Sequence, residues 1–223
     1  MKILILGATG AAGSSLLEVA LAHEAVTEVR TISRRKIETR SAKLRGFQHS
    51  SLTDYSAVSD AFAGLDACFF CIGRATSLVK TEAEYRALAR DAPLAAAKEL
   101  HARSPAAVFH YLSGQGANLA SDQRWARIKA EAEADLLDRY RAVCWRPGAI
   151  DAKNTTGWPI FYKLVIPAIR LLAPSRRFYV TGEDLARAML QLALTNACSL
   201  IVENSEIRRL ADTYRATGPG KSA

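Results

Sequence analysis

Apolar positions along the chain alternate between two patterns. Short apolar or β-branched runs at residues 3–6, 29–32, 67–72, 107–112 and 142–145 have the length of buried strands. Between them, apolar positions recur every three to four residues, the helical period. Leu16, Leu17, Ala20 and Leu21 share a face in residues 14–23; Leu88, Ala92, Ala95, Ala96 and Leu100 do so in 82–101. Residues 122–139 predict a helix with Glu and Lys on its outer face, and 183–195 one with Leu185, Met189, Leu190 and Leu192 inward. A weaker third strand is expected around Phe47, and a short helix over 56–63 ended by Gly64. A last strand is expected over 200–202, then a final helix capped by Asn204 and reaching about Asp212. The run 67–72 is apolar at every position, as a strand is when helices cover both faces of a parallel sheet.

Strands alternating with helices imply βαβ units. The expected class is α/β, a doubly wound parallel sheet of about seven strands with helices on both faces and a small C-terminal cover. With 223 residues, 49% hydrophobic and 23% charged, the chain suits one domain over 1–215. Residues 150–215 are then a small substrate-side cover and 216–223 a flexible tail.

Charge adds a local feature. Thirty Lys and Arg stand against 22 Asp and Glu, a net charge of +8. Between Arg30 and Arg45 lie seven basic residues (Arg30, Arg34, Arg35, Lys36, Arg40, Lys43, Arg45) and one acid, Glu38. A surplus concentrated in one stretch favours a discrete anion site over a polyanion track. No helix-turn-helix, zinc-finger or RNA-binding signature is present, so no nucleic acid is expected, and no metal site. The longest later apolar stretch is broken by Pro159, Lys163, Pro167 and Arg170, so no transmembrane segment is expected. Nothing resembling a signal peptide precedes the first strand, and Cys68, Cys71, Cys144 and Cys198 read as thiols; the expected location is cytoplasmic.

Between the first strand and first helix lies Gly7-Ala8-Thr9-Gly10-Ala11-Ala12-Gly13. Gly7 permits the tight turn, Gly10 lets backbone approach a pyrophosphate, and Gly13 allows close helix–strand packing. The helix N-terminus offers free N–H groups and the positive end of its dipole. The second strand ends in Ser33-Arg34-Arg35-Lys36. An acid there binds the ribose hydroxyls of NAD, whereas an Arg accommodates the 2′-phosphate of NADP. Arg34 and Arg35 are therefore expected to select NADP(H), and Arg40, Lys43 and Arg45 to be a solvated loop.

These motifs resemble the atypical short-chain dehydrogenases/reductases, in particular the Tat-interacting-protein-like branch. The likeness continues through Leu65-Asp66-Ala67-Cys68-Phe69-Phe70-Cys71-Ile72-Gly73 and Tyr111-Leu112-Ser113-Gly114-Gln115-Gly116-Ala117. Lys129-Ala130-Glu131-Ala132-Glu133, Trp145-Arg146-Pro147-Gly148 and Ile201-Val202-Glu203-Asn204 extend it over almost the whole chain. The resemblance implies a Rossmann fold with NADP(H) at the C-terminal strand edge. Its cofactor residues would be Gly7, Thr9, Gly10, Ala11, Ala12, Gly13, Arg34, Arg35, Leu52, Cys71, Ile72, Gly73 and Lys129.

The family's active site is a Tyr-x-x-x-Lys after the fifth strand plus a Ser at that strand's end. Here the stretch reads Trp125-Ala126-Arg127-Ile128-Lys129. Indole N–H is a donor only and cannot exchange a proton near neutral pH. Gly114 aligns with the serine, and Ser113 lies one residue earlier. Lys129 and Ser113 are the remaining catalytic candidates. His110 and Tyr111 read as strand-face residues, and Cys68 and Cys71, three apart on a strand, face opposite ways.

Residues 157–173, with Trp158, Phe161 and Tyr162, read as an apolar lid or a homodimer surface, with a membrane face a more distant reading. Three functions follow. One is an NADPH-dependent reductase passing hydride to a flavin- or quinone-like small molecule beside Trp125, without the tyrosine. The second is a non-catalytic NADP(H)-binding redox sensor or assembly module with a regulatory protein partner. The third, an ordinary carbonyl reductase or sugar-nucleotide enzyme, fits least, because the tyrosine is absent.

Overall fold

The first strand, β1 (Lys2–Leu6), is buried from its second residue onward and pairs in parallel with β2 (Glu28–Ser33) on one side and β4 (Ala67–Phe70) on the other. In this computed structural model, which describes residues 1–35, 37, 41–74, 78–152 and 178–217, β3 (Leu44–Gln48), β5 (Val108–Leu112), β6 (Ala142–Arg146) and β9 (Leu200–Glu203) complete the sheet. The order is β3-β2-β1-β4-β5-β6-β9, all parallel. Strand order therefore reverses between β1 and β4. That reversal opens a crevice at the carboxyl ends of the strands, where ligands bind in such sheets.

Six α-helices among the described residues connect these strands: α1 (Ala11–Ala22), α2 (Glu82–Arg86), α3 (Ala92–Arg103), α4 (Arg124–Arg139), α5 (Gly182–Leu194) and α6 (Asn204–Thr217). The two-residue period of the strands sorts side chains into two cores. Ile3, Ile5, Val29, Phe69, Cys71 and Trp145 face α1, α5 and α6. Leu4, Leu6, Cys68, Phe70, Phe109 and Tyr111 face α3, α4 and a 3-10 helix over Ser56–Phe62. Cys68 and Cys71 thus lie in opposite cores, as their spacing requires.

Several elements differ from the sequence reading. The helix expected over 82–101 is interrupted by a π turn, Ala87–Asp91, between α2 and α3. Pro93 explains it: with no N–H, it cannot donate to Ala89 O four residues back. The buried Tyr111 hydroxyl takes that carbonyl instead, at 2.6 Å. A two-stranded parallel sheet of β7 (Ala149–Asp151) and β8 (Tyr179–Thr181) was not anticipated. Three residues per strand are too few to show a period.

Helix α6 runs through Arg215 to Thr217, past both the expected end at Asp212 and the start of the expected tail at 216; residues 218–223 lie outside the described set. The Asn204 side chain bridges two segments. Its Oδ1 accepts from Gly148 N at 2.9 Å and its Nδ2 donates to Tyr179 O at 3.4 Å. The segment 157–173, read as a lid or dimer surface, lies outside the described residues. No helix among the described residues is long and apolar enough to cross a membrane.

Candidate functional site

Gly7 leaves β1 with φ +85°, a region glycine enters freely. A Cβ there would stand 2.9 Å from the carbonyl carbon of Cys71. Gly10 N closes the turn on Gly7 O at 2.9 Å, and Gly10 precedes α1 without a side-chain cap. At Gly13 a Cβ would sit 2.2 Å from Gly7 O, so helix and strand end approach this closely only without a side chain. The first amides of α1, those of Ala11, Ala12 and Gly13, have no partner within the helix by geometry, and no acid occupies its first turn. Bare backbone donors, a helix dipole and the missing Cβ atoms fit a phosphate group.

At the end of β2, Ser33 Oγ donates to Arg35 O at 2.5 Å and Gln48 Nε2 donates to Arg34 O at 3.2 Å. These bonds hold the backbone, while the Arg34 and Arg35 side chains are exposed beside the glycine turn's strand. The rest of the basic stretch divides differently than expected. Arg30 is buried, its guanidinium donating to the carbonyls of Asp60, Ala61 and Ala63 at the end of the 3-10 helix and to Glu28. Lys43 Nζ donates to His23 O at 2.9 Å, and Arg45 lies 5.2 Å above the Phe47 ring. Lys43 is thus tied to the fold, and Arg45 is exposed as expected but on strand β3 rather than in a loop; Lys36 and Arg40 lie outside the described residues.

Across the crevice, Cys71, Ile72 and Gly73 form the turn after β4. Cys71 is buried and its thiol is pushed up to about 12 by desolvation, so it stays protonated at neutral pH. Leu52 packs, half-buried, on the second core beside Ile72 in the same cluster.

The end of β5 is built from side chains. Ser113 N donates to Trp145 O and Gln115 N to Pro147 O, at 2.8 and 2.9 Å, extending the β5–β6 pairing past both strands. The Trp125 ring covers the turn they form. A Cβ at Gly114 would lie 3.6 Å from Trp125 Cζ3, and one at Gly116 3.5 Å from Cη2. The indole N–H donates to Gln123 Oε1 at 2.6 Å. One helical turn on, Lys129 Nζ donates to Leu112 O at 3.0 Å and Ser113 O at 2.7 Å and lies 5.6 Å above the Tyr111 ring. Burial lowers the lysine to about 8, with Glu133 opposing the shift.

Glu133, also on α4, is 2% exposed and holds Arg146 at the end of β6 through contacts of 2.5, 3.0 and 3.2 Å. Arg146 also donates to Glu203 at 2.9 Å. This buried pair was not read from the sequence. Four-residue spacing from Lys129 puts Glu133 on the same helix face, which was the available signal.

Of the two catalytic candidates, Lys129 reaches the strand end, whereas Ser113 is 6% exposed and its hydroxyl has no hydrogen-bond partner. His110 stacks between Phe69 and Trp145 at centroid distances of 4.5 and 6.0 Å, and its Nδ1 accepts from Trp145 Nε1 at 3.2 Å. A cavity of about 520 Å³ lies elsewhere, between α1, α5, α6 and the small sheet, and none of the expected site residues lines it.

Residues 2–90 match the family model described as semialdehyde dehydrogenase, NAD binding domain. The chain is 29% identical to Protein HTATIP2 of Rattus norvegicus over 154 residues, covering 67% of this chain and 62% of the rat protein, less than two thirds of its length. It is 26% identical to Protein FMP52, mitochondrial, of Eremothecium gossypii over 221 residues, 94% of this chain and 97% of that one. The solved structure of MoeE5 in complex with UDP-glucuronic acid and NAD superposes with a TM-score of 0.70 at 15% identity, covering 91% of this chain and 76% of that one. The parallel sheet order, the glycine turn behind β1 and the superposition give the chain a Rossmann-type fold, and its sequence is similar to those of HTATIP2 and FMP52.

Proposed function

We propose that the chain binds NADP(H) across the β1–β4 crevice and acts as an oxidoreductase on a small flavin- or quinone-like acceptor. The observation that carries the reading is the Gly7–Gly13 cradle with two exposed arginines at the end of β2. Backbone amides of Ala11, Ala12 and Gly13 would hold the pyrophosphate, with Thr9 at its rim. Arg34 and Arg35 would hold the 2′-phosphate, and Leu52, Cys71, Ile72 and Gly73 would line the cleft between. Bound there, the reduced cofactor supplies hydride. Lys129 stands at the far end of the cleft, beside the Trp125 ring, which offers a flat apolar surface to an aromatic acceptor.

Fluorescence titration tests the cofactor reading. NADPH is expected to bind at least about tenfold more tightly than NADH, the scale of charge-assisted hydrogen bonds to phosphate. Arg34→Ala/Arg35→Ala should erase the difference and leave NADH binding unchanged; equal affinities in the parent would refute the assignment. A second reading, a non-catalytic NADP(H)-responsive module, is favoured by the Trp125 indole, whose single donor is already on Gln123. Tight NADPH binding without oxidation of any carbonyl, quinone or flavin would establish it.

A further inference from the structure

Two polar groups of the β5–α4 corner keep an unengaged hydrogen, the Lys129 ammonium and the Ser113 hydroxyl. An ammonium has three N–H donors, and two of those on Lys129 point to Leu112 O and Ser113 O. No other acceptor for the third is present among the described residues. Of the other polar groups there, the Ser113 hydroxyl is free, but an aliphatic alcohol is too weak an acid to give up its proton near neutral pH. Trp125 donates to Gln123 Oε1, and the Tyr111 hydroxyl is spent on Ala89 O in the π turn.

Beside the lysine stem is room for a ligand atom. The point a Cβ would occupy on Gly114 is 3.9 Å from Lys129 Cδ and 3.6 Å from Trp125 Cζ3. A group over Gly114 therefore touches the lysine stem and the indole together.

We propose, resting on the oxidoreductase reading above, that Lys129 is the proton donor of this site, its third N–H serving the carbonyl oxygen of a flat ketone or quinone acceptor held over Gly114 against Trp125. The acceptor carbon gains a hydride with its electron pair, the neutral dihydronicotinamide being oxidised to the cationic nicotinamidium. The C=O π pair moves onto oxygen, which takes a proton from Nζ. The neutral amine then regains its proton from water.

The environment of Nζ suits this. Tyr111 faces it from β5, Cys144 from β6 and Glu133 from its own helix. Desolvation pushes the Tyr111 hydroxyl and the Cys144 thiol up, so both stay neutral. Glu133 is the one charge, and Arg146 holds its carboxylate. With Lys129 lowered to about 8 by burial, the ammonium predominates at pH 7 but releases its proton far more readily than a solvated lysine.

The test compares the parent with Lys129→Arg, which keeps the charge and the donors but does not titrate below pH 12, and with Lys129→Met. Far-UV circular dichroism establishes that each is folded. NMR of the chain labelled with 15N at lysine Nζ, without cofactor, should show one amine titrating near pH 8 that is absent from both variants. NADPH titration of both variants measures how far Lys129 also serves the cofactor, and kcat is compared at saturating NADPH.

Steady-state reduction of 9,10-phenanthrenequinone should show kcat level below about pH 8 and falling tenfold per unit above it. In Lys129→Arg, kcat should drop at least about 100-fold, the scale of a lost general acid, with KM little changed and the limb near pH 8 gone. Lys129→Met should show the same loss of kcat. NADPH binding with Lys129→Arg turnover within threefold of the parent, or no lysine titrating near 8, overturns the proton-donor role and leaves the cofactor reading standing. Binding with no turnover by the parent overturns the role and favours the non-catalytic module. Absence of NADPH binding by the parent overturns the cofactor reading itself.

Discussion

At the β1–β2 end of the strand edge, the crevice is shaped by what is missing. Gly7 and Gly13 lack the Cβ atoms that would collide with Cys71 and with Gly7 O, the helix cap has no side chain, and the two arginines stand free in solvent. At the β5–β6 end, the edge is shaped by side chains locked to one another: Trp125 over Gly114 and Gly116, Lys129 on two carbonyls, Glu133 on Arg146, Asn204 on Gly148 and Tyr179. A backbone cradle recognises a group that every dinucleotide carries. A side-chain corner sets which acceptor fits and how it is protonated. Trp125 and Gly114, which the sequence resemblance aligns with a tyrosine and a serine, both fall in this corner.

The largest effect expected from breaking this contrast is at Glu133. Its side chain is 3% exposed and faces Arg146, itself 19% exposed. Glu133→Ala leaves Arg146 with the exposed Glu203 alone, and losing the buried member of such a pair costs up to about 3–5 kcal/mol. Chemical denaturation should show a loss of that size, with NADPH affinity in the surviving folded fraction changed less than threefold. A loss below about 1 kcal/mol would mean that water reaches the pair and the corner is not locked as described.

Next in size is a pair of glycine substitutions. Gly13→Ala puts a methyl 2.2 Å from Gly7 O; the helix must move, at a cost of about 1–3 kcal/mol for overpacking, and NADPH binding should fall at least tenfold. Gly114→Ala puts its methyl at ordinary contact distance from Trp125 and Lys129, so stability should change by less than about 0.5 kcal/mol. Denaturation and NADPH titration of the two variants side by side check the contrast. Equal effects would show that the two ends are built alike.

This difference also governs what the sequence discloses. The glycine turn is local: seven consecutive residues carry strand end, turn and helix start, and the following strand brings Arg34 and Arg35 to the same edge. Single-strand patterns mark the inner strands β1, β2, β4, β5 and β6 because these are buried on both faces, whereas the edge strand β3 is largely exposed and its pattern is weak. The β5–β6 corner is assembled from distant pieces. Glu133 and Arg146 meet only once α4 lies against β6, and Tyr111 reaches Ala89 because Pro93, on another element, leaves that carbonyl without its helical donor. Arg30 reads as part of a basic stretch and Lys43 as part of a solvated loop because charge can be counted from sequence, whereas the backbone carbonyls they cap cannot.

Tyr111→Phe tests the π turn at smaller scale. It removes the donor to Ala89 O, buried at the α2–α3 junction, and a buried carbonyl left unsatisfied costs about 1–2 kcal/mol. Denaturation should show that loss. Restoring the helical donor with Pro93→Ala in the same background should recover part of it, since the backbone then carries an N–H at that position to serve Ala89 O. No recovery would mean that the π turn has another cause.

The smallest effect near neutral pH belongs to His110. Its ring is fully buried between Phe69 and Trp145, and desolvation lowers it from the ordinary 6.5 to about 3. The folded ring therefore stays neutral while an unfolded one takes a proton, so the unfolded state binds more protons between those two values. Stability then falls as pH drops through 6.5, continuing toward 3, and is unaffected above about pH 7.5. From pH 7 to pH 6 the loss is roughly 0.7 kcal/mol by linkage. His110→Phe should flatten this part of the profile, measured by denaturation at fixed ionic strength. Arg34→Ala/Arg35→Ala, at the other end of the edge, should leave the profile as it is. An unchanged slope in His110→Phe would mean that the ring is protonated in the folded state and that an acceptor faces its Nε2.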